Sequence, residues 1–353
     1  MNHKKTIIQS LVSLGAFMAQ FSSPTPKKSN KLLHNNIFFD GFKHQLKLAN
    51  EFNGWFTKAN LCFSLKQWSK LLQNKQLESW LARYETPTKI PKTIAIIMAG
   101  NIPLVGFHDF ISALVSGHSI IVKQSSNDRH LLPYLVAYLT YIDPHLKSKI
   151  KFTNEKLHDF DAVIATGSDN TARYFEAYFK NKPSIIRKNR NSIAILTGNE
   201  SVRDLKALAE DIFRYYGLGC RSVSKLFVPK DYDFDMFFKA VYDWHFIMKS
   251  AKYANNYDYN KAVYLMSEYD LIENGFLMLK EDTNYASPIA TLFYEYYEDS
   301  ESLKFRIKAD ASQIQCLVSK NFSENEVTFG ATQLPKLSDY ADGIDTVDFL
   351  LKI

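Results

Sequence analysis

The chain has 353 residues, 46% of them hydrophobic and 23% charged, enough to bury a large core in two or so domains. Its formal net charge of +6 is spread along the chain and comes with no helix-turn-helix, zinc-finger or RNA-recognition signature, which argues against nucleic acid and for a small anionic ligand. Cys62, Cys220 and Cys316 are too few and too scattered for a disulfide framework or a thiolate zinc site, so a reducing, cytoplasmic setting is expected.

Residues 1–23 look superficially like a signal peptide, because Lys4 and Lys5 precede an apolar stretch. Gln9, Ser10, Ser13 and Gln20 interrupt that stretch, however. Ile7, Leu11, Leu14 and Met18 recur at helical spacing behind Thr6 as a cap, which predicts an amphipathic packing helix. No later segment has the roughly 18 uninterrupted apolar residues of a membrane span. Pro24 and Pro26 open a polar connection, and residues 30–84 read as helical, with Leu65, Trp68, Leu72 and Leu77 or Trp80 as packing residues. Residues 1–88 are thus an N-terminal helical region. The 26 Phe and 20 Tyr are read as core filling ahead of an apolar ligand pocket.

A different rhythm follows Pro87 and Pro91. Residues 93–98 form a short apolar run, 104–115 a helix and 119–123 a β-branched run, which together predict a βαβ unit. Helix 131–141, strand 161–166, helix 170–179 and strand 192–196 continue the alternation. The fold class is therefore α/β, with a parallel sheet covered on both faces over residues 89–198 and ligands outside the carboxyl ends of its strands. Helix 202–215, the loop Gly217-Leu218-Gly219-Cys220 and a strand at 225–228 open a second α/β domain, 199–320. Residues 321–353 are expected to pack back onto an earlier domain.

Cys220 sits between a helix and a strand, after two glycines that let the backbone approach a substrate, and beside Arg221, whose charge favours a thiolate. A lone cysteine is more often a small buried hydrophobe than a nucleophile, and the loop context lowers that expectation without removing it. Gly100-Asn101-Ile102-Pro103 directly follows the first strand. Asn101 is placed to donate to an oxyanion, to cap the next helix with Pro103 in its first turn, or to do both. Lys123 ends the second strand, where a cation can hold a nucleotide or simply be solvated. Gly167 and Ser168 open a helix at Asp169, a place suited to a pyrophosphate or merely to a turn. The chain has no G-x-G-x-x-G, H-E-x-x-H or G-x-S-x-G, and its histidines form no metal cluster, so no metal is expected.

These motifs in this order, Gly-Asn-Ile-Pro, Ile-Val-Lys-Gln-Ser-Ser, Ala-Thr-Gly-Ser and Gly-Leu-Gly-Cys-Arg-Ser-Val-Ser-Lys, resemble the aldehyde dehydrogenase superfamily. Within it, the chain is most similar to the LuxC acyl-CoA reductases of bacterial bioluminescence, best over residues 92–229. The resemblance implies a parallel-sheet cofactor domain and an α/β catalytic domain. It makes Cys220 the nucleophile, Asn101 the oxyanion donor and Lys123 a ligand of the adenine ribose. Gly167 and Ser168 then lie beside the pyrophosphate or nicotinamide. Ser126 stands where NAD-preferring relatives carry a Glu, so NADPH is expected, with NADH an alternative.

Two departures from the family pattern shape the expected chemistry. Where oxidative relatives carry a water-activating Glu, this chain has Arg187-Lys188-Asn189-Arg190-Asn191, a cluster read either as a contact for coenzyme A phosphates or as a solvated turn. Asn284-Tyr285-Ala286-Ser287-Pro288-Ile289 only loosely echoes the Glu-x-Phe-Gly-Pro-Val cofactor motif. The implied activity is reduction of a medium- or long-chain acyl-CoA to the aldehyde through a Cys220 thioester, by a homo-oligomer. The alternatives are a CoA-acylating aldehyde dehydrogenase running in reverse and a non-catalytic acyl-binding scaffold.

Overall fold

The apolar spacing of the N-terminal region becomes four helices: α1 (His3–Ala19), α2 (Asn35–Phe52), α3 (Lys58–Leu71) and α4 (Asn74–Leu81). The computed structural model describes residues 3–353, so Met1 and Asn2, at the head of the first expected helix, lie outside the described residues. Thr6 lies inside α1 and is not its cap. Ile7, Leu11, Leu14 and Met18 are buried as their spacing requires, and α1 packs against α3 and α4. Much of the aromatic content is core here: Phe17 stacks on Tyr138 at 4.3 Å between centroids, and Phe21 and Phe42 pack beside them. Full burial of each such ring stabilises the fold by about 1.5–3 kcal/mol.

Next come β1 (Thr93–Ile97), α5 (Phe107–Val115), β2 (Ser119–Lys123), α6 (Leu131–Ile142), β3 (Ile150–Phe152), β4 (Ala162–Thr166), α7 (Asp169–Tyr178) and β5 (Ser184–Arg187). Their strands form one parallel sheet in the order β3-β2-β1-β4-β5. Alternate residues face opposite sides, as strand geometry dictates. Ile94, Ile96, Ile120, Val122 and Ile164 join the core built with α5, α6 and the N-terminal helices. Ala95, Val163 and Ala165 face Phe175 and Phe179 at the end of α7. Both faces are covered, which is why the strands read as continuous apolar runs.

A second sheet begins after Lys188. It is built from β6 (Asn191–Ile195), α8 (Val202–Phe213), β7 (Val223–Pro229), α9 (Phe234–Val241), α10 (Ala251–Met266), β8 (Leu271–Glu273), β9 (Met278–Glu281), β10 (Thr291–Tyr297), α11 (Ser300–Ala309) and β11 (Ile314–Val318). The strand order is β11-β6-β7-β10-β9-β8, parallel except for the edge pair β8 and β9. The strand expected at 192–196 therefore belongs to this sheet and does not continue the first. The strand that ends the first sheet, β5, has only four residues and gives almost no periodic signal.

Two compact units result: the chain up to Lys188 together with Lys336–Ile353, and Asn189–Pro335. The returning segment ends in α12 (Thr346–Lys352). Within the first unit it is held by polar contacts at buried positions. The Trp80 indole N–H donates to Tyr340 Oη at 2.7 Å, and His108 Nε2 and His118 Nε2 meet the Leu337 and Leu350 carbonyls at 2.9 and 2.8 Å. Among the described residues, no helix is long and apolar enough to cross a membrane.

Candidate active site

In the first unit, the expected binding residues gather along one edge of the sheet. Asn101 follows β1, Lys123 ends β2 with Ser126 just beyond it, and Gly167 and Ser168 join β4 to α7. These are the carboxyl ends of three neighbouring strands, and the crossovers diverge between β1 and β4, the usual place for a ligand in such sheets. Ser168 caps α7, its Oγ accepting from the Thr171 N–H at 3.4 Å. Gly167 cannot carry a side chain without displacement, because a Cβ there would lie 2.9 Å from Thr171 Cγ2. Lys123 Nζ donates to the Glu155 carbonyl at 3.0 Å. Ser126 is exposed, and its carbonyl accepts from Arg129 Nε at 3.1 Å, with the Arg129 guanidinium over the Phe52 ring. Arg129 was not singled out from sequence, since an exposed arginine in a polar loop carries no pattern of its own.

The capping role considered for Asn101 fails. Helix α5 starts at Phe107 with Gly106 as its N-cap, later than the expected start at 104, and Asn101 is exposed in the loop before it. Leu104 takes a left-handed conformation, φ 59°, which interrupts any earlier helix. Its N–H donates to the buried carboxylate of Asp128 at 2.9 Å. Other groups fix the same loop: Asn53 Nδ2 donates to the Gly100 carbonyl at 3.2 Å, and Ser64 Oγ to the Pro103 carbonyl at 3.2 Å. The N-terminal helices thus shape the loop that carries Asn101, a contribution their sequence did not disclose. Asp128 Oδ1 has no partner, and burial pushes the carboxyl up to about 7 although the Leu104 and Leu131 N–H groups favour its charge.

In the second unit, α8 begins with a reciprocal capping box between Ser201 and Asp204 and ends in a short helical turn, Arg214–Gly217. Tyr215, Tyr216 and Gly217 are all left-handed, at φ 56°, 60° and 74°. Only Gly217 adopts this without strain, so the two tyrosines mark a backbone held in place by its surroundings. A tight turn follows, closed by the Ser222 N–H donating to the Gly219 carbonyl at 2.9 Å. Cys220 is the second residue of that turn and is exposed, whereas Cys62 is half-buried and Cys316 buried. Burial pushes the Cys62 thiol up, away from reactivity. The Cys220 carbonyl is gripped by Ser192 Oγ of β6 at 2.9 Å. Five residues on, Lys225 is fully buried and donates to the Asp282 and Thr283 carbonyls and to Glu295 at 2.7 Å, fixing β7 to the loop before β10.

One sequence reading changes and two gain detail. Arg187 contacts no coenzyme A phosphate from a surface: it is 5% exposed and pairs with Asp109 at 2.5 Å, donating also to the Ala341 carbonyl and Thr346 Oγ1. It anchors the returning C-terminal segment. Arg221 Nε donates to the Thr332 carbonyl, so its visible work is to hold the turn. Asn284 is exposed and folds onto Asp282, its Nδ2 at 2.8 Å from Oδ1, while Ser287, Pro288 and Ile289 line a cavity of about 30 Å³ with Tyr216 and Gly217. Among the described residues, no three His, Cys, Asp or Glu side chains converge as metal ligands.

A family model described as acyl-CoA reductase (LuxC) matches residues 20–238. The chain belongs to the LuxC family. A long-chain acyl-protein thioester reductase of Aliivibrio fischeri is 24% identical over an alignment of 230 residues that covers 58% of this chain and 47% of that protein. The chain thus spans about half the length of that relative. Among solved structures, aldehyde dehydrogenase 21 of Physcomitrella patens, in complex with succinate, superposes with a TM-score of 0.67 at 12% identity, covering 100% of this chain and 89% of that one. An indole-3-acetaldehyde dehydrogenase complexed with NAD+ gives a TM-score of 0.63 at 12% identity, over 94% and 79% of the two chains. At such identity the likeness establishes the aldehyde dehydrogenase fold alone. The LuxC match takes in Asn101, Lys123, Ser126, Gly167, Ser168 and Cys220, whereas Thr332, which holds Arg221, lies beyond it.

Proposed function

We propose that this LuxC-family protein reduces an acyl thioester to an aldehyde through an acyl-enzyme on Cys220. The observation that carries this reading is the Cys220 turn, an exposed thiol between α8 and β7 with its carbonyl held by Ser192. In the proposed reaction the thiolate attacks the acyl carbon, forming an Sγ–C bond. The tetrahedral oxyanion is steadied by donors, for which Asn101 Nδ2 and the Cys220 N–H are the candidates. Its collapse breaks the carbon–sulfur bond to the carrier, which departs as a thiol after taking up a proton, and leaves the acyl group on Cys220. The stretch Arg187–Asn191 offers no carboxylate to activate water, which favours transfer of the acyl group over its hydrolysis.

The neighbour solved with NAD+ and the family description favour a nicotinamide cofactor. The first unit's sheet edge fits one in chemical kind. The N-terminal end of α7 suits a pyrophosphate beside Gly167 and Ser168, and Lys123 suits the ribose. Ser126 presents no carboxylate against a 2′-phosphate, and Arg129 beside it supplies a cation, which favours NADPH over NADH. When bound, the reduced nicotinamide supplies the hydride that converts the Cys220 thioester to aldehyde. On this reading the cofactor domain, expected at 89–198, ends at Lys188, and the catalytic domain, expected at 199–320, is the unit Asn189–Pro335.

The carrier is coenzyme A by the family description, while the Aliivibrio fischeri relative is named for acyl-protein thioesters. Purified protein is to be mixed with NADPH or NADH and with acyl-CoA or acyl-protein thioesters of several chain lengths, following cofactor oxidation and aldehyde release. Turnover is expected with wild type and none with Cys220→Ala, while Asn101→Ala lowers kcat by about a hundredfold. Undiminished turnover in Cys220→Ala, or no turnover of any thioester by wild type, refutes the reading. The same assay run with aldehyde, NADP+ and coenzyme A tests the reverse direction.

A further inference from the structure

We infer that Asp211 is a positioning residue for Cys220, acting through Thr332 and Arg221; the inference rests on Cys220 being the nucleophile. Asp211 is fully buried in the last turn of α8. Its Oδ2 accepts from the Gly330 N–H at 2.6 Å, and its Oδ1 from the Thr332 N–H and Oγ at 2.9 and 2.8 Å. Both oxygens are thus engaged, by three donors, all from one segment beyond β11. Gly330 makes this approach feasible. It has φ 83°, and a Cβ there would lie 3.1 Å from the Ala207 Cβ, one turn back on α8.

The same segment reaches the Cys220 turn on its other side. With its N–H and hydroxyl fixed on Asp211, Thr332 is fully buried, and its carbonyl receives Arg221 Nε. Gln333 Nε2 donates to Ser222 Oγ at 3.3 Å. Arg221 and Ser222 complete the turn that Cys220 enters, while Ser192 grips the Cys220 carbonyl from β6. The turn is therefore held from two directions, by a strand hydroxyl and by a carboxylate acting through a threonine. Arg221 ends on a neutral carbonyl, so it keeps the turn in place without placing an anion against the thiol. A nucleophile displaced by about 1 Å can lose a hundredfold in rate, which is the scale on which such a tether acts.

The test measures Cys220 alkylation by iodoacetamide in the full chain, read from the mass of its peptide so that Cys62 and Cys316 are resolved, alongside acyl-CoA turnover. Asp211→Asn sets an amide N–H₂ against N–H donors, and Arg221→Lys keeps the charge while losing the planar Nε contact. Leu303→Ala, in the core of the same unit, controls for destabilisation alone. Both tether variants are expected to slow Cys220 alkylation several-fold and to lower kcat about tenfold or more with KM little changed, whereas Leu303→Ala leaves the alkylation rate at the wild-type value. A wild-type alkylation rate in either folded tether variant overturns the inference. Should Asp211→Asn fail to fold, Arg221→Lys decides alone. Absence of wild-type turnover with a normal alkylation response would instead defeat the proposed function and leave the tether standing.

Discussion

The loop that carries Asn101 and the turn that carries Cys220 are backed by the same device, a buried aspartate bonded to backbone N–H groups, yet the two aspartates are not equally satisfied. Asp211 has both oxygens occupied. Asp128 has one oxygen on Leu104 and the other without a partner, beside a cavity of about 10 Å³. Burial raises both pKa values, but Asp128 is pushed as far as about 7. A buried carboxylate left half-paired becomes a titrating group near neutrality, whereas a fully paired one serves as a fixed strut.

The largest effect expected from this contrast is in Asp211→Ala. It strands three donors, two of them at Thr332 in the core, and should cost about 5 kcal/mol, read as a lower urea midpoint for the second unit. A loss below about 1 kcal/mol would show that water replaces the carboxylate and would remove the contrast. Next is the pH dependence of Asp128. Its folded pKa lies above the unfolded value near 3.8, so the stability it contributes is present in full below that value and is lost as pH rises through about 7. Asp128→Asn should flatten this slope and, above pH 7, exceed wild type by up to about 4 kcal/mol. A parallel urea-midpoint profile in the two proteins would place the titration elsewhere. The smallest effect touches the cofactor alone: Ser126→Glu should shift preference from NADPH toward NADH by about tenfold in kcat/KM, with stability within about 0.5 kcal/mol of wild type. An unchanged preference would remove Ser126 from the ribose site.

Neither aspartate was legible in the sequence. The strands were, because β-branched and apolar runs such as Thr93–Ile97 and Ser119–Lys123 declare themselves locally. So was the place of Cys220 between a helix and a strand. Asp128 and Asp211 act on N–H groups that are, at Leu104 and Thr332, 24 and 121 residues away, and no local pattern encodes such a partner. Arg187 was misread for the same reason. A basic run looks solvated until Asp109, 78 residues earlier, is seen to cover its first member. The continuous alternation of helix and strand also concealed the passage from one sheet to the next at Lys188, since β5 and β6 follow each other with only a short basic link.

The return of Lys336–Ile353 to the first unit fixes an order of assembly. As the chain leaves the ribosome, every residue of the second unit is available before the segment that satisfies Arg187, Trp80 and His118 of the first. The unit that starts first is thus the last to finish. Until then the Trp80 indole and the His118 ring of the first unit wait for their partners, while Arg187 already has Asp109, and a unit left incomplete in this way is exposed to the misfolding that chaperones exist to prevent.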